Sequence, residues 1–144
     1  MEPRISLISL GVQDLARSLA FYRDGLGFPT TWEIDKGIVF FQNGGSALAL
    51  YPFDKLAEDV WGDAAGPVAP VKFGGIVLAH NVRTRQEVDA VLAQAEAAGG
   101  RIEKPGQEVS WGGYSGYFSD PDGYLWEVAH GAFEFNDDGS LIIP

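Results

Sequence analysis

Glu127 is the residue on which any chemistry of this chain has to be built. It lies in Leu125-Trp126-Glu127-Val128-Ala129, a carboxylate inside an otherwise apolar run. The run follows Asp120-Pro121-Asp122-Gly123, which reads as a tight turn because proline fixes one φ angle and glycine accepts a positive one. A strand is expected after it, with Tyr124, Trp126 and Val128 on one face and Leu125, Glu127 and Ala129 on the other. Few other groups could share the work. There is no cysteine, hence no thiolate nucleophile, disulfide or Cys-held metal. The only histidines are His80 and His130. His130 is three residues after Glu127, an odd separation that sends the two side chains to opposite faces of a regular strand. No Ser-His-Asp order stands out, and Gly112-Gly113-Tyr114-Ser115-Gly116 lacks both the lysine of a phosphate loop and a following helix.

The elements that must position Glu127 are readable along the chain. Ile5 to Val12 is an apolar, β-branched run and predicts a strand. Asp14 stands at a helix N-cap, and Leu15, Leu19, Tyr22 and Leu26 recur at helical spacing until Gly25 and Gly27. Three strands are predicted next, Thr30 to Ile34, Ile38 to Gln42 and Ser46 to Tyr51, with Asp35-Lys36-Gly37 and Asn43-Gly44-Gly45 as hairpin turns. Pro52 to Lys72 interrupts this rhythm with Gly66, Pro67 and Pro70 around a short helical turn from Asp54 to Trp61. A connection of that length has the character of a functional flap, with Trp61 either a plug on the domain or part of a lid.

From Phe73 the pattern restarts. Phe73 to His80 predicts a strand, and Thr84 with Glu87 makes a capping box. Val88, Val91, Leu92 and Ala95 give that helix one apolar face before Gly99-Gly100. Arg101 to Val109, Tyr114 to Ser119 and Tyr124 to His130 complete the set. The two halves are alike at a spacing near 70 residues, with Leu7 matched to Gly75 and Gly45–Tyr51 to Gly123–Ala129. The organisation expected is one domain over 1–144, with modules at 4–52 and 73–131, a linker at 53–72 and an acidic tail at 132–144. In the tail Asp137-Asp138-Gly139 is a turn and Leu141 to Ile143 an edge strand.

Twenty acidic against ten basic residues give a net charge of -10, which disfavours nucleic acid and anionic membranes and favours cationic partners. No run approaches the ~18 apolar residues of a membrane span. The first residues lack the pattern of a signal peptide, so a cytoplasmic location is expected.

The duplicated βαβββ pattern, with Val12-Gln13-Asp14-Leu15-Ala16-Arg17-Ser18-Leu19-Ala20-Phe21-Tyr22 at one end and the Asp-Pro-Asp-Gly strand at the other, resembles the vicinal oxygen chelate superfamily. That family includes glyoxalase I, extradiol dioxygenases, fosfomycin-resistance enzymes and bleomycin-resistance proteins. The resemblance implies an α+β fold of two tandem βαβββ modules whose eight strands curl into an open cup, and a homodimer. Metalloenzymes of the family hold their metal with four ligands on the cup floor. Carried over, those places are Leu7, Ala49, Gly75 and Glu127, and only Glu127 has a donor, so no metal or other cofactor is expected.

A carboxylate on an apolar floor can take up a proton, hold water or pair with a cation carried by a ligand. The last option fits the acidity of the chain, with Trp111, Tyr117, Tyr51, Phe41, Trp32 and Trp61 as aromatic surfaces for cation-π contact. Trp111 stands before two glycines at the rim, either facing a ligand or packed on a dimer partner. Trp126 shares no face with Glu127 and is expected in the core, as are Phe21 and Tyr22. The reading is a metal-independent binder of a cationic or aromatic small molecule, resembling the bleomycin-resistance branch. The alternative is a lyase, isomerase or dioxygenase relative in which Glu127 acts as acid or base, with Ser9 or Ser115 as its polar neighbour, or is the sole recognisable metal ligand.

Overall fold

The computed structural model describes residues 1, 5–62 and 74–142. The backbone divides into two compact units, Met1–Val71 and Lys72–Pro144. Gly66, Pro67 and Pro70 of the expected flap lie outside the described residues, as do Phe73 and Ile143.

In the first unit β1 (Leu7–Val12) runs parallel to β3 (Ser46–Pro52), and β2 (Val39–Asn43) pairs antiparallel on the other side of β3. Between β1 and β2 lies α1 (Leu15–Leu19), continued by a π-helical turn over Ala20–Gly25. The Asp14 carboxylate caps α1 by accepting from the Arg17 N–H at 3.0 Å, which satisfies one of the donors a helix start leaves open. Ile8, Leu10 and Val12 share a face with Leu48, Leu50, Phe41 and Val39 across the ladder. Tyr22 and Phe28 close over Phe41, with ring centroids 6.0 and 5.9 Å from it. Tyr22, Phe41, Val39 and Leu50 have no exposed surface, and burial of each large side chain contributes about 1.5–3 kcal/mol.

The strand expected over Thr30 to Ile34 does not form. Thr30 Oγ1 donates to the Phe40 carbonyl at 2.6 Å and accepts from the Trp32 N–H at 3.0 Å. A side-chain hydroxyl thus takes the place of a backbone ladder beside β2, and a 3-10 turn over Ile34–Lys36 ends at Gly37 with φ 73°. The Asp35-Lys36-Gly37 turn is present, but it joins no hairpin. Gly44 and Gly45, both at positive φ, do make the β2–β3 hairpin.

The helical turn expected near Asp54 is a two-and-a-half-turn helix, α2 (Phe53–Trp61). A Cβ on Gly11 would lie 2.6 Å from Phe53 Cδ2 and 3.4 Å from Leu56 Cδ2, so α2 packs onto β1 at that glycine. Trp61, at the far end of α2, keeps 59% of its surface exposed.

The second unit carries the complete module: β4 (Val77–Val82), α3 (Arg85–Ala97), β5 (Arg101–Glu108), β6 (Tyr114–Ser119) and β7 (Leu125–His130), in sheet order β4-β7-β6-β5. The Thr84–Glu87 capping box is present in both directions. At the other end of α3, the Gly100 N–H reaches the Ala95 carbonyl at 2.9 Å and the Gly99 N–H reaches Glu96 at 3.0 Å, with Gly99 at φ 102°. Val88, Leu92 and Ala95 of α3 are buried, as are Phe118, Trp126 and Val128 of the sheet. The Phe118 and Trp126 rings stack with centroids 6.1 Å apart, which places Trp126 in the core as expected. A two-stranded hairpin, β8 (Glu134–Phe135) with β9 (Leu141–Ile142), turns over Asn136–Gly139. Arg83 lies 4.5 Å above the Phe135 ring and fastens this hairpin to the end of β4.

Candidate functional site

The Asp120 turn sets the geometry. Asp120 is 4% exposed, and its Oδ1 accepts from the N–H groups of Asp122 at 2.9 Å and Tyr124 at 2.8 Å. Gly123, at φ 93°, donates to the Asp120 carbonyl at 3.0 Å. A turn held this way fixes Ser119 opposite Leu125, and therefore Tyr117 opposite Glu127. On β4, Ala79 lies opposite Glu127 on the other side. The residues of one parity, Gly116, Phe118, Trp126 and Val128, face α3; a Cβ on Gly116 would sit 2.6 Å from Leu92 Cδ1. Ser115, Tyr117, Ser119, Glu127 and Ala129 have the other parity and form the face of the sheet away from α3.

On that face the Tyr117 hydroxyl donates to Glu127 Oε1 at 2.8 Å. Both side chains are half-buried. Burial raises the Tyr117 pKa first, and the hydrogen bond to Glu127 and its charge raise it further, so the phenol is held in its donor form. Lys104 of β5 stands opposite Tyr117, and its Nζ lies 5.7 Å from the Tyr117 ring centroid. Beside them, the Ser119 hydroxyl donates to Glu103 Oε1 at 2.7 Å, and Arg101 donates to the same oxygen. These two donors, the Ser119 hydroxyl first, hold Glu103 below the usual carboxylate range.

The structure thus gives Glu127 a polar partner that the sequence had marked only as a stacking surface. Ser115 is on the same face but 1% exposed and buried. Phe41 does not belong to the candidates: it is buried in the first unit among Tyr22 and Phe28. Trp111 is 53% exposed, and its ring folds over Gly113 and Gly131 beside Phe133 at 5.9 Å. Gly131 is four residues beyond Glu127, about 13 Å along an extended chain, so Trp111 is not brought to the carboxylate. Ser9, Tyr51 and Trp32 lie in the first unit, opposite Ala49, opposite Gly11 and against Phe40 respectively.

His130 falls on the face opposite Glu127, as its spacing predicted, and His80 shares that face. His80 pairs with Val128 and His130 with Tyr114, both on the parity that faces α3. Desolvation lowers the His80 pKa, opposed by the charge of Glu87. His130 Nδ1 is buried and has no hydrogen-bond partner among the described residues.

The family model of the Glyoxalase/Bleomycin resistance protein/Dioxygenase superfamily matches residues 4–128. The chain belongs to that superfamily. A glyoxalase-related enzyme from Fulvimarina pelagi is similar over 98% of both chains, with 35% identity and a TM-score of 0.85. A lactoylglutathione lyase from Agrobacterium tumefaciens is 26% identical, with a TM-score of 0.64 over 91% of this chain and 96% of its own. Uncharacterized protein YraH from Bacillus subtilis (strain 168) is 29% identical over 123 residues, 84% of this chain and 93% of its own. The architecture is the α+β glyoxalase-like fold with open sheets built from βαβββ-like modules.

Superfamily metalloenzymes imply a metal, and the donor set here does not fit one. Leu7 lies seven residues before the cap of α1, Asp14, and Val77 lies seven before the cap of α3, Thr84. The pairings agree: Ser9 faces Ala49 as Ala79 faces Glu127. The counterpart of Leu7 is therefore Val77, and the expected Gly75 precedes β4 at φ 77°. Leu7, Ala49 and Val77 bring no donor atom to join Glu127. Among the described residues no three acidic or histidine side chains gather around one point.

Proposed function

We propose that this superfamily member binds a small cationic or aromatic molecule on the second unit's sheet face, with Glu127 as its counter-charge. The observation that carries the reading is the Tyr117–Glu127 hydrogen bond of 2.8 Å. It orients one carboxylate oxygen and leaves the other without a hydrogen-bond partner among the described residues. A half-buried carboxylate so held is pre-organised for a ligand's ammonium or N–H group. The Tyr117 ring beside it adds cation-π attraction of about 0.5–2 kcal/mol. A net charge of -10 raises the local concentration of such ligands.

Titration calorimetry with benzylamine tests this. Glu127→Gln keeps the shape and removes the charge, and a loss of about tenfold or more in affinity is expected, equal to about 1.4 kcal/mol. Equal affinity in the two proteins would remove Glu127 from the site.

The same pair supports a second reading, in which Glu127 takes a proton from a bound substrate while the Tyr117 phenol donates to the developing oxyanion. Under that reading Glu127→Gln holds its substrate and loses turnover.

A further inference from the structure

Lys104 distinguishes this face from a simple cation trap. Arg23, Lys36, Lys55, Arg85 and Arg101 each have a carboxylate within 4 Å. Lys104, like Arg83 above the Phe135 ring, has none among the described residues, in a chain with twice as many acids as bases. It is half-buried on β5, and its ammonium is stationed 5.7 Å from the centre of the Tyr117 ring. The placement is enforced by the backbone. Ile102 pairs with Phe118 and Lys104 with Tyr117, so Glu103 is one extra residue on β5, and Gln107 pairs with Ser115, so Pro105 and Gly106 bulge out of register on the other side. Gly116 lets this bulge come close, since a Cβ there would lie 2.9 Å from both Lys104 O and Gly106 N.

Lys104, Tyr117 and Glu127 therefore form a row across β5, β6 and β7. The outer two backbones are two strand spacings apart, about 10 Å. The row reads cation, flat ring, anion. A ligand carrying only a cation would satisfy Glu127 and leave the ammonium of Lys104 facing a like charge.

We propose that Lys104 recognises an acidic oxygen group, so that the ligand of this face is amphoteric. Its anionic end is a carboxylate or related oxyanion at Lys104, its cationic end an ammonium at Glu127, and a flat spacer lies over Tyr117. The proposal rests on the reading of Glu127 given above and names the ligand class for the same face.

Three probes of one shape separate the two ideas: 4-(aminomethyl)benzoate, which carries both charges, benzylamine and 4-methylbenzoate. Each is titrated calorimetrically at low ionic strength into the wild type, Lys104→Met and Lys104→Arg, where exposed charges are least screened. The wild type is expected to bind the amphoteric probe about tenfold or more tighter than benzylamine. In Lys104→Met that ratio falls to within about threefold, and in Lys104→Arg it is restored. A wild-type ratio near one, or a ratio that Lys104→Met leaves as it was, overturns the amphoteric ligand. If benzylamine binding is indifferent to Glu127→Gln, or none of the three probes binds, the counter-charge reading fails and this inference falls with it. Benzylamine binding that depends on Glu127, without an advantage for the amphoteric probe, defeats this inference alone.

Discussion

Removing the Tyr117 hydroxyl tests the central contact of the site. Tyr117→Phe deletes the donor of the 2.8 Å hydrogen bond and leaves the ring in place. A hydrogen bond to a charged group is worth about 1.5–3 kcal/mol when well buried. Both partners are half-buried, so water can replace the lost donor at Glu127 and the expected cost falls to about 1 kcal/mol. If the chain of 144 residues melts as one body, its unfolding entropy is about 0.3 kcal/mol/K, and the melting temperature drops by about 3 °C. A double-mutant cycle with Glu127→Ala, read by denaturant unfolding, should return a coupling of about 1 kcal/mol. Alkaline pH adds an independent readout. The folded Tyr117 pKa is raised, so its stabilising contribution is complete below the ordinary tyrosine value near 10 and disappears as pH rises through the folded value. Wild-type stability should therefore fall more steeply than that of Tyr117→Phe above about pH 10. In Glu127→Gln the charge is gone but the desolvation remains, and ultraviolet titration should find the Tyr117 pKa lowered towards its ordinary value without reaching it. A coupling below about 0.3 kcal/mol, together with a Tyr117 titration that ignores Glu127→Gln, would refute the pairing.

Two further outcomes are expected. Gly116→Ala places a methyl 2.6 Å from Leu92 Cδ1 and 2.9 Å from the β5 backbone, and should cost about 1–3 kcal/mol in denaturant unfolding; a change under about 0.5 kcal/mol would mean that β5 is not held where it stands. Protein purified without chelator or metal-affinity resin should carry less than about one tenth of a transition-metal ion per chain by elemental analysis, whereas a content near one per chain would mean that donors other than Leu7, Ala49 and Val77 complete a site with Glu127.

Most of the fold was legible because local signals agreed with one another. Asp14 and Thr84 mark helix starts, Gly44-Gly45 and Asp120-Pro121-Asp122-Gly123 mark hairpins, and the alternation of Trp126 and Glu127 assigns the faces of β7. Thr30 to Ile34 misled because its composition suits a strand while the Thr30 hydroxyl supplies the edge hydrogen bond instead. Phe41 and its neighbour Phe40 are indistinguishable by composition; only pairing with Leu48 turns Phe41 towards Tyr22. The Tyr117–Glu127 pair was within reach, since counting back from the Asp120 turn places the two opposite each other. Equal spacing from Asp14 and Thr84 would likewise have matched Leu7 to Val77. Lys104 was not readable, because register shifts on both sides of it, at Glu103 and at Pro105-Gly106, move β5 by amounts that no local pattern reveals.

The most direct test of the account is to add benzylamine to uniformly nitrogen-15-labelled protein and follow the amide signals. The largest shifts are expected at Lys104, Tyr117, Glu127 and their strand neighbours Ser115 and Ala129. Shifts concentrated instead around Trp111 and Phe133, or within the first unit, would contradict it.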